Sequence, residues 1–190
     1  YGRNAVGGAI NIISAEPEFD LSGWASARYG FENNSFQMQG AANVPLGDGI
    51  AMRLSGDLVE QDKGFFFNPD NGVYFDRQKG HGLRGQVRLK RGPVDAVITA
   101  ETQRLTTPSI HYQIYIPAGT PGFPGGYIQD RFNYPWSTPP RARQDVDGLQ
   151  AVIRVDLGGA DLTSTTSFRK RHSEYDLDND AISPAELARA

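Results

Sequence analysis

Hydrophobic and polar side chains alternate along most of this chain with a period of two residues. Between residues 50 and 58 the large apolar side chains occupy even-numbered positions, whereas Arg53, Ser55 and Asp57 occupy odd-numbered ones. Because a β-strand points successive side chains to opposite faces, this period predicts strands with one apolar and one polar face. The alternation recurs over residues 24–31, 36–44, 83–90, 94–101 and 149–157, and less regularly over 161–175. We therefore predict an all-β fold, an antiparallel up-and-down meander of about seven strands.

The predicted strands are long, and their charges are segregated. They run for about ten residues, whereas a soluble strand typically has ~5–6 and a membrane-spanning strand ~9–11. In the four clearest strands no charged side chain falls on the apolar face. An Arg or Lys that faces lipid at mid-membrane costs ~2–4 kcal/mol. The pattern is therefore typical of strands whose apolar face contacts lipid.

The predicted connections differ in length. Short links cover residues 32–34 and 45–49, and tight turns occur at Gly92-Pro93 and at residues 158–160. Long connections are predicted near 61–80, 105–146 and 176–190. Outer-membrane β-barrels combine short periplasmic turns with long extracellular loops. The distribution of connections thus favours a partial transmembrane β-barrel over a soluble β-sheet domain.

Composition removes several classes of function. The formal net charge of −3 argues against a nucleic-acid binder that works by neutralising phosphates. The absence of cysteine rules out disulfides, cysteine-based zinc sites and a catalytic thiol within this sequence. No apolar run approaches the ~18 residues that a transmembrane helix needs. These exclusions leave the alternating pattern as the main guide to fold and function.

The first thirteen residues form a motif that contains a Tyr-Gly-Arg start, a Gly-Gly pair and a closing Ile-Asn-Ile, and Pro17 follows a short polar link. The residues that carry it are Tyr1, Gly2, Arg3, Asn4, Gly7, Gly8 and Asn11. This motif resembles the end of the plug domain of TonB-dependent receptors of the bacterial outer membrane. With the meander that follows, the resemblance covers essentially all 190 residues. It implies a last plug strand and linker in residues 1–17, and the N-terminal part of a transmembrane β-barrel in residues 18–190.

The resemblance also implies a function. Receptors of this family import a scarce solute actively across the outer membrane, and the expected solute is a ferric siderophore or a similar iron complex. The expected partners are outer-membrane lipid, the small-molecule iron chelate, and TonB with its inner-membrane motor complex. In the family's order the segment that contacts TonB precedes the plug motif, so that contact is not expected within these residues. No resident cofactor is implied.

Charged residues concentrate on the polar faces of the predicted strands, where the resemblance implies that they face the barrel lumen. The simplest interpretation is a set of cross-strand charge ladders. A functional alternative is that they hold the plug or guide an anionic solute. These predicted lumenal residues are Arg53, Asp57, Arg84, Arg88, Lys90, Asp95, Glu101 and Arg154.

The longest predicted connection is rich in aromatic residues, which supply contact area together with a polar group. One hypothesis is an extracellular ligand vestibule formed by Arg104, His111, Tyr112, Tyr115, Tyr127, Arg131 and Trp136. The alternative is that the aromatic rings pack the loops against each other, since a loop of this length needs a small core of its own. Tyr29, Phe31 and Phe36 fit an interfacial aromatic girdle better than a ligand site.

No catalytic or metal-binding pattern stands out, so we expect neither an enzyme nor a metal site. The three histidines are scattered, and the sequence has no Gly-x-Ser-x-Gly elbow and no phosphate-binding loop. A second hypothesis, from another class of function, is a soluble β-sandwich that binds a carbohydrate or another ligand. It explains the alternation and the aromatic loops, but it does not explain the plug-like start or the ten-residue strands.

Overall fold

The computed structural model describes residues 14–109, 114–128, 132–133, 136, 138 and 140–177. The plug motif and the predicted last plug strand, both within residues 1–13, lie outside the described residues. The third predicted long connection, near 176–190, lies outside them except for residues 176 and 177.

Eleven β-strands form the regular structure of the described residues. They are β1 (Ser22–Gly30), β2 (Ser35–Gly47), β3 (Ile50–Gln61), β4 (Phe67–Asn68), β5 (Val73–Tyr74), β6 (Gln78–Arg91), β7 (Val94–Pro108), β8 (Tyr115–Ile116), β9 (Tyr127–Ile128), β10 (Arg141–Asp156) and β11 (Asp161–Asp176). Seven strands form one sheet in the order β1-β2-β3-β6-β7-β10-β11, and all its neighbours are antiparallel. Two short sheets, β4-β5 and β8-β9, lie in the long connections. The predicted all-β, antiparallel meander of seven strands is confirmed.

The register of the paired strands aligns their polar side chains on one side of the sheet and their apolar side chains on the other. On one side Ser55 lies opposite Arg84, Arg84 opposite Glu101, and Glu101 opposite Gly148. One row on the other side consists of Leu54, Gly85, Ala100 and Leu149. We call these two sides the polar face and the apolar face. The alternation therefore predicted correctly which side chains share a face.

In the seven-stranded sheet the buried residues and the large exposed apolar side chains lie mostly on opposite faces. All of its buried residues lie on the polar face, including Ala51, Asn43 and Val97. On the apolar face Ile98 is 55% exposed and Leu149 is 54% exposed. A sheet in a soluble domain packs its apolar face on the core and turns its polar face to water. This sheet has the opposite arrangement.

The two ends of the sheet carry different connections. Tight turns at residues 48–49, 92–93 and 157–160 join strands at one end, which we call the short-turn end. Residues 31–34, 62–77 and 109–140 connect strands at the other end, the long-loop end. Gly49 and Gly92 have φ values of 73° and 57°, as tight hairpin turns require.

The strands beside the long connections extend further than predicted. β7 ends at Pro108 and β10 begins at Arg141, although a connection was predicted over 105–146. In this extension the apolar face carries charged residues, and Arg104 lies opposite Asp145. The predicted boundary was wrong because the apolar alternation stops where the charges begin, whereas backbone pairing continues beyond it.

The connections 62–77 and 109–140 pack together at the long-loop end. Trp136 is 1% exposed and Phe75 is 4% exposed, and Phe66 and Ile114 pack against them. The buried side-chain amide of Asn68 donates a hydrogen bond of 2.9 Å to the Trp136 carbonyl oxygen. We call this group of residues the loop core. It fixes one long connection against the other.

Candidate functional site on the polar face

The polar face of the sheet carries a dense set of charges, which the register places on one side. Its cations are Arg28, Arg53, Arg84, Arg88, Lys90, Arg154, Arg169 and Arg171. Its acids are Asp57, Asp95, Glu101, Asp156 and Asp161. Cations therefore exceed acids on the sheet itself. Such a face attracts anionic groups.

Glu101 lies between two arginines from different strands. Arg84 on β6 donates hydrogen bonds of 3.1 and 2.6 Å to Glu101 Oε2, and Arg169 on β11 donates one of 2.7 Å to Oε1. Gly148 on β10 lies beneath this carboxylate, and a Cβ there would come within 2.9 Å of Glu101 Cγ and Oε1. The glycine therefore provides the space in which one acid links β6, β7 and β11.

A second cluster lies nearer the short-turn end. Arg88 on β6 donates hydrogen bonds of 2.9 and 2.5 Å to the two carboxylate oxygens of Asp95 on β7. Arg154 on β10 donates bonds of 2.7 and 3.3 Å to the two oxygens of Glu16. An Arg88 guanidinium nitrogen lies 3.9 Å from Glu16 Oε2, which joins the two pairs into one cluster. Bidentate pairs of this kind are among the stronger polar contacts in proteins.

Glu16 belongs to a segment that crosses the polar face, residues 14–20, which we call the strap. The Ser14 hydroxyl accepts a hydrogen bond from Arg84, and the Pro17 carbonyl accepts one of 3.3 Å from Arg88. The Glu18 backbone N–H donates a 3.4 Å hydrogen bond to the Asn43 side chain on β2. The strap therefore contacts strands from β2 to β10, and it helps to bury the polar face below it.

All eight predicted lumenal residues lie on the polar face. The structure brings Arg84, Arg88, Asp95, Glu101 and Arg154 into the two ion-pair clusters. Arg53, Asp57 and Lys90 share the face, but they join no ion pair among the described residues. Ion pairs among the described residues therefore include five of the eight residues.

Sequence reasoning missed Glu16, Asn43 and Arg169 as members of this site. Arg169 has the same parity as Asp161 on β11, so a strict period of two would have placed it on the polar face. Asn43 falls on the polar side of the alternation in β2. Glu16 has no local signal, because its partner Arg154 lies 138 residues away in sequence.

A recess of about 500 Å³ opens on the polar face between β1 and β11. Its polar lining includes Gln39, Asp57, Gln103 and the arginines of the Glu101 cluster. Trp24 lies at its β1 side and is 52% exposed. The recess offers both hydrogen-bonding groups and an aromatic ring to a solute.

The predicted vestibule residues do not form one group. Arg104 lies on the apolar-face side of β7 and donates hydrogen bonds of 2.9 and 3.1 Å to Asp147. Trp136 is buried in the loop core, so its ring packs the loops in this conformation. Tyr115 on β8 is 69% exposed, and Tyr127 on β9 is half-buried with its ring centroid 6.5 Å from that of Phe123. His111, Tyr112 and Arg131 lie outside the described residues.

Comparisons with known proteins do not assign the chain to a family. No protein-family model matches it, and no curated protein or solved structure is significantly similar to it. Within the described part of the chain, no group of three or more His, Asp or Glu side chains is placed to hold a metal ion. No helix in that same part is long and apolar enough to span a bilayer. The polar face with its strap is thus the candidate site that the geometry itself identifies.

Proposed function

We propose that this chain is part of a TonB-dependent outer-membrane receptor that imports a ferric siderophore or a similar iron complex. The observation that carries the proposal is that all buried residues of the sheet lie on its polar face, whereas the large side chains of its apolar face are exposed. In a transmembrane β-barrel the apolar side chains face lipid and the polar side chains face the lumen. The arrangement observed here is the one that such a barrel wall requires.

The dimensions of the apolar face support a membrane location. Its apolar rows run from Ile50 to Leu58 on β3 and from Leu149 to Val155 on β10. Seven to nine residues extend over roughly 20–30 Å of strand, which is comparable with the ~25 Å apolar band of outer-membrane barrels. Tyr29 and Phe36 are paired at the long-loop end of this face, where an aromatic girdle belongs.

The charges beyond the apolar rows support the same location. On the same side of the sheet, towards the long-loop end, Arg104 pairs with Asp147 and Lys79 pairs with Glu60. Charged side chains suit the aqueous boundary of a membrane and not its hydrocarbon interior. The strands thus extend beyond the bilayer at the long-loop end, which is the extracellular end of an outer-membrane barrel.

The strap lies where a plug linker would enter the barrel. It crosses the polar face near the short-turn end, which corresponds to the periplasmic side. The plug motif precedes the strap directly in sequence. The open edges of the sheet, β1 and β11, would pair with further strands of the receptor to close the barrel, since closure removes unpaired edges.

The alternative is a soluble β-sandwich that binds a carbohydrate or another ligand. A sandwich needs a second sheet packed on the apolar face of the first. In the described part of the chain the other two sheets have two strands each and lie in the long connections. The exposed Trp24 beside polar side chains is the observation that favours carbohydrate binding, and it is equally compatible with a barrel lumen.

Uptake measurements test the proposed function. In a host strain that lacks the gene, the full-length receptor is expected to restore accumulation of at least one radiolabelled ferric chelate under iron limitation. The uptake should stop when the TonB gene is deleted or the proton gradient is collapsed. An outer-membrane protein that supports no TonB-dependent uptake of iron would contradict the assigned solute. Recovery of the protein in a soluble fraction would contradict the receptor itself.

A further inference from the structure

We propose that the strap is a latch controlled by charge, with Glu16 holding it on the polar face and loss of the Glu16 ion pairs releasing it. The proposal concerns a movement of residues 14–20 within the chain. It does not depend on which solute is imported, so the uptake experiment and the experiment below can fail independently.

The geometry of Glu16 is the first argument. Its two cationic partners come from β6 and β10, which are separated by β7 in the sheet. Arg154 binds both carboxylate oxygens, and Arg88 is already fixed by its pair with Asp95. One carboxylate therefore attaches the strap to two strands that are not neighbours. The Glu16 side chain is 30% exposed, so the contact is partly shielded from water while remaining accessible to ions.

Charge complementarity is the second argument. On the polar face the cations exceed the acids by three, counted over the residues named above. The strap contributes three carboxylates, those of Glu16, Glu18 and Asp20. The three carboxylates of the strap equal in number the excess cations of the whole polar face. Removing the strap therefore leaves the polar face with more cations than acids.

The small apolar contribution is the third argument. Pro17 is the one fully buried residue of the strap, and the Phe19 ring lies 5.5 Å from the Arg88 guanidinium in a cation–π contact. The remaining strap residues are exposed or half-buried. Burial of apolar surface stabilises a contact by about 25 cal/mol per Å², and a single proline offers little of it. Docking therefore depends on the ion pairs and hydrogen bonds of the strap more than on apolar packing.

Release of the strap has a direct consequence for the lumen. The Glu16 carboxylate would leave Arg154 without its partner, and Arg88 would keep only Asp95. Asn43, which is buried and bonds to Glu18 of the strap in the docked state, would become accessible. The guanidinium of Arg154 would then be available to another anionic group.

A spin label tests the latch in the full-length receptor folded in detergent. The label is attached to a single cysteine in place of the exposed Ala15, with any cysteine elsewhere in the receptor replaced. The docked strap should give an immobile spectrum. Glu16→Gln is expected to raise the ratio of mobile to immobile label by about five- to thirtyfold, which corresponds to one or two kcal/mol. Asp20→Asn removes the same charge from an exposed residue that joins no ion pair among the described residues, so it should raise the ratio much less.

Two further measurements keep the test decisive. Arg154→Gln should release the label as Glu16→Gln does, and the double variant should add little, because both substitutions remove one contact. If a variant fails to fold, the effect of sodium chloride on the unmodified strap is measured in its place. Raising the salt to about 1 M shortens the screening length from ~10 Å to ~3 Å and should mobilise the label in the unmodified strap. Equal effects of Glu16→Gln and Asp20→Asn, or a label that stays immobile in high salt, would overturn the proposal.

Discussion

Replacing Ile153 by arginine in the full-length protein is expected to destabilise the folded protein in lipid by ~2–4 kcal/mol, the cost of an Arg that faces lipid near mid-membrane. Ile153 lies in the middle part of the apolar row 149–155 and is 43% exposed. In a soluble protein a substitution at such an exposed position usually changes stability by no more than ±0.5 kcal/mol. Equilibrium unfolding in urea, followed by the shift of the folded band on unheated gels, measures the difference.

The polar face of the same strand supplies the control. Gln150 is also exposed, but it lies on the polar face of β10. Gln150→Arg should change the free energy of unfolding much less than Ile153→Arg, because the polar side of a barrel wall faces water. Equal stability changes for the two variants would contradict a lipid-facing apolar face.

Replacing Trp136 by alanine is expected to open the long connections while leaving the sheet intact. Removal of a buried Trp side chain typically costs ~3–5 kcal/mol. Trp136 packs against Phe75, and its carbonyl accepts the hydrogen bond from Asn68. The loop core holds the connections 62–77 and 109–140 together and contains no strand of the seven-stranded sheet. The loss should therefore appear as local unfolding at the long-loop end.

Limited proteolysis of the detergent-solubilised protein distinguishes this outcome. Trp136→Ala should be cleaved rapidly within the two connections, whereas the gel shift of the folded protein should persist. Phe65→Ala is the control, because Phe65 is an aromatic residue of the connection 62–77 but is 73% exposed. If Trp136→Ala leaves the connections as resistant as Phe65→Ala does, the loop core has no stabilising role.

The sequence predicted which side chains share a face of the sheet, because the alternation depends only on neighbouring residues. Residues such as Leu149 and Gln150 fall on opposite sides of any strand, so the alternation alone separates the positions of the apolar face from those of the polar face. The order of the strands in the sheet was also predictable, since strands that follow one another in the sequence are usually neighbours in the sheet. The two ion-pair ladders of Arg84 with Glu101 and Arg88 with Asp95 arise from this register.

The remaining contacts depend on distances that the sequence does not encode locally. The ion pair of Glu16 with Arg154 joins residues that are 138 positions apart in sequence, and no periodic pattern relates the two. The aromatic content of the connection that contains Trp136 predicted loop packing as one alternative, but it did not identify Trp136 as the buried ring or Phe75 as its partner. Arg104 continues the parity of Ile98 on β7, but its charge ended the apolar pattern and moved the predicted strand end.

The most direct test of the central claim is a scan of spin-labelled cysteines along residues 149–155 of the full-length receptor in a lipid bilayer. The chain contains no native cysteine, so each label in this sequence is unique. Accessibility to oxygen, which concentrates in lipid, should peak at residues 149, 151, 153 and 155 and fall at 150, 152 and 154. A water-soluble nickel chelate should not reach the odd-numbered positions. Odd-numbered labels that the nickel chelate reaches freely would contradict a membrane-facing apolar face, and with it the receptor.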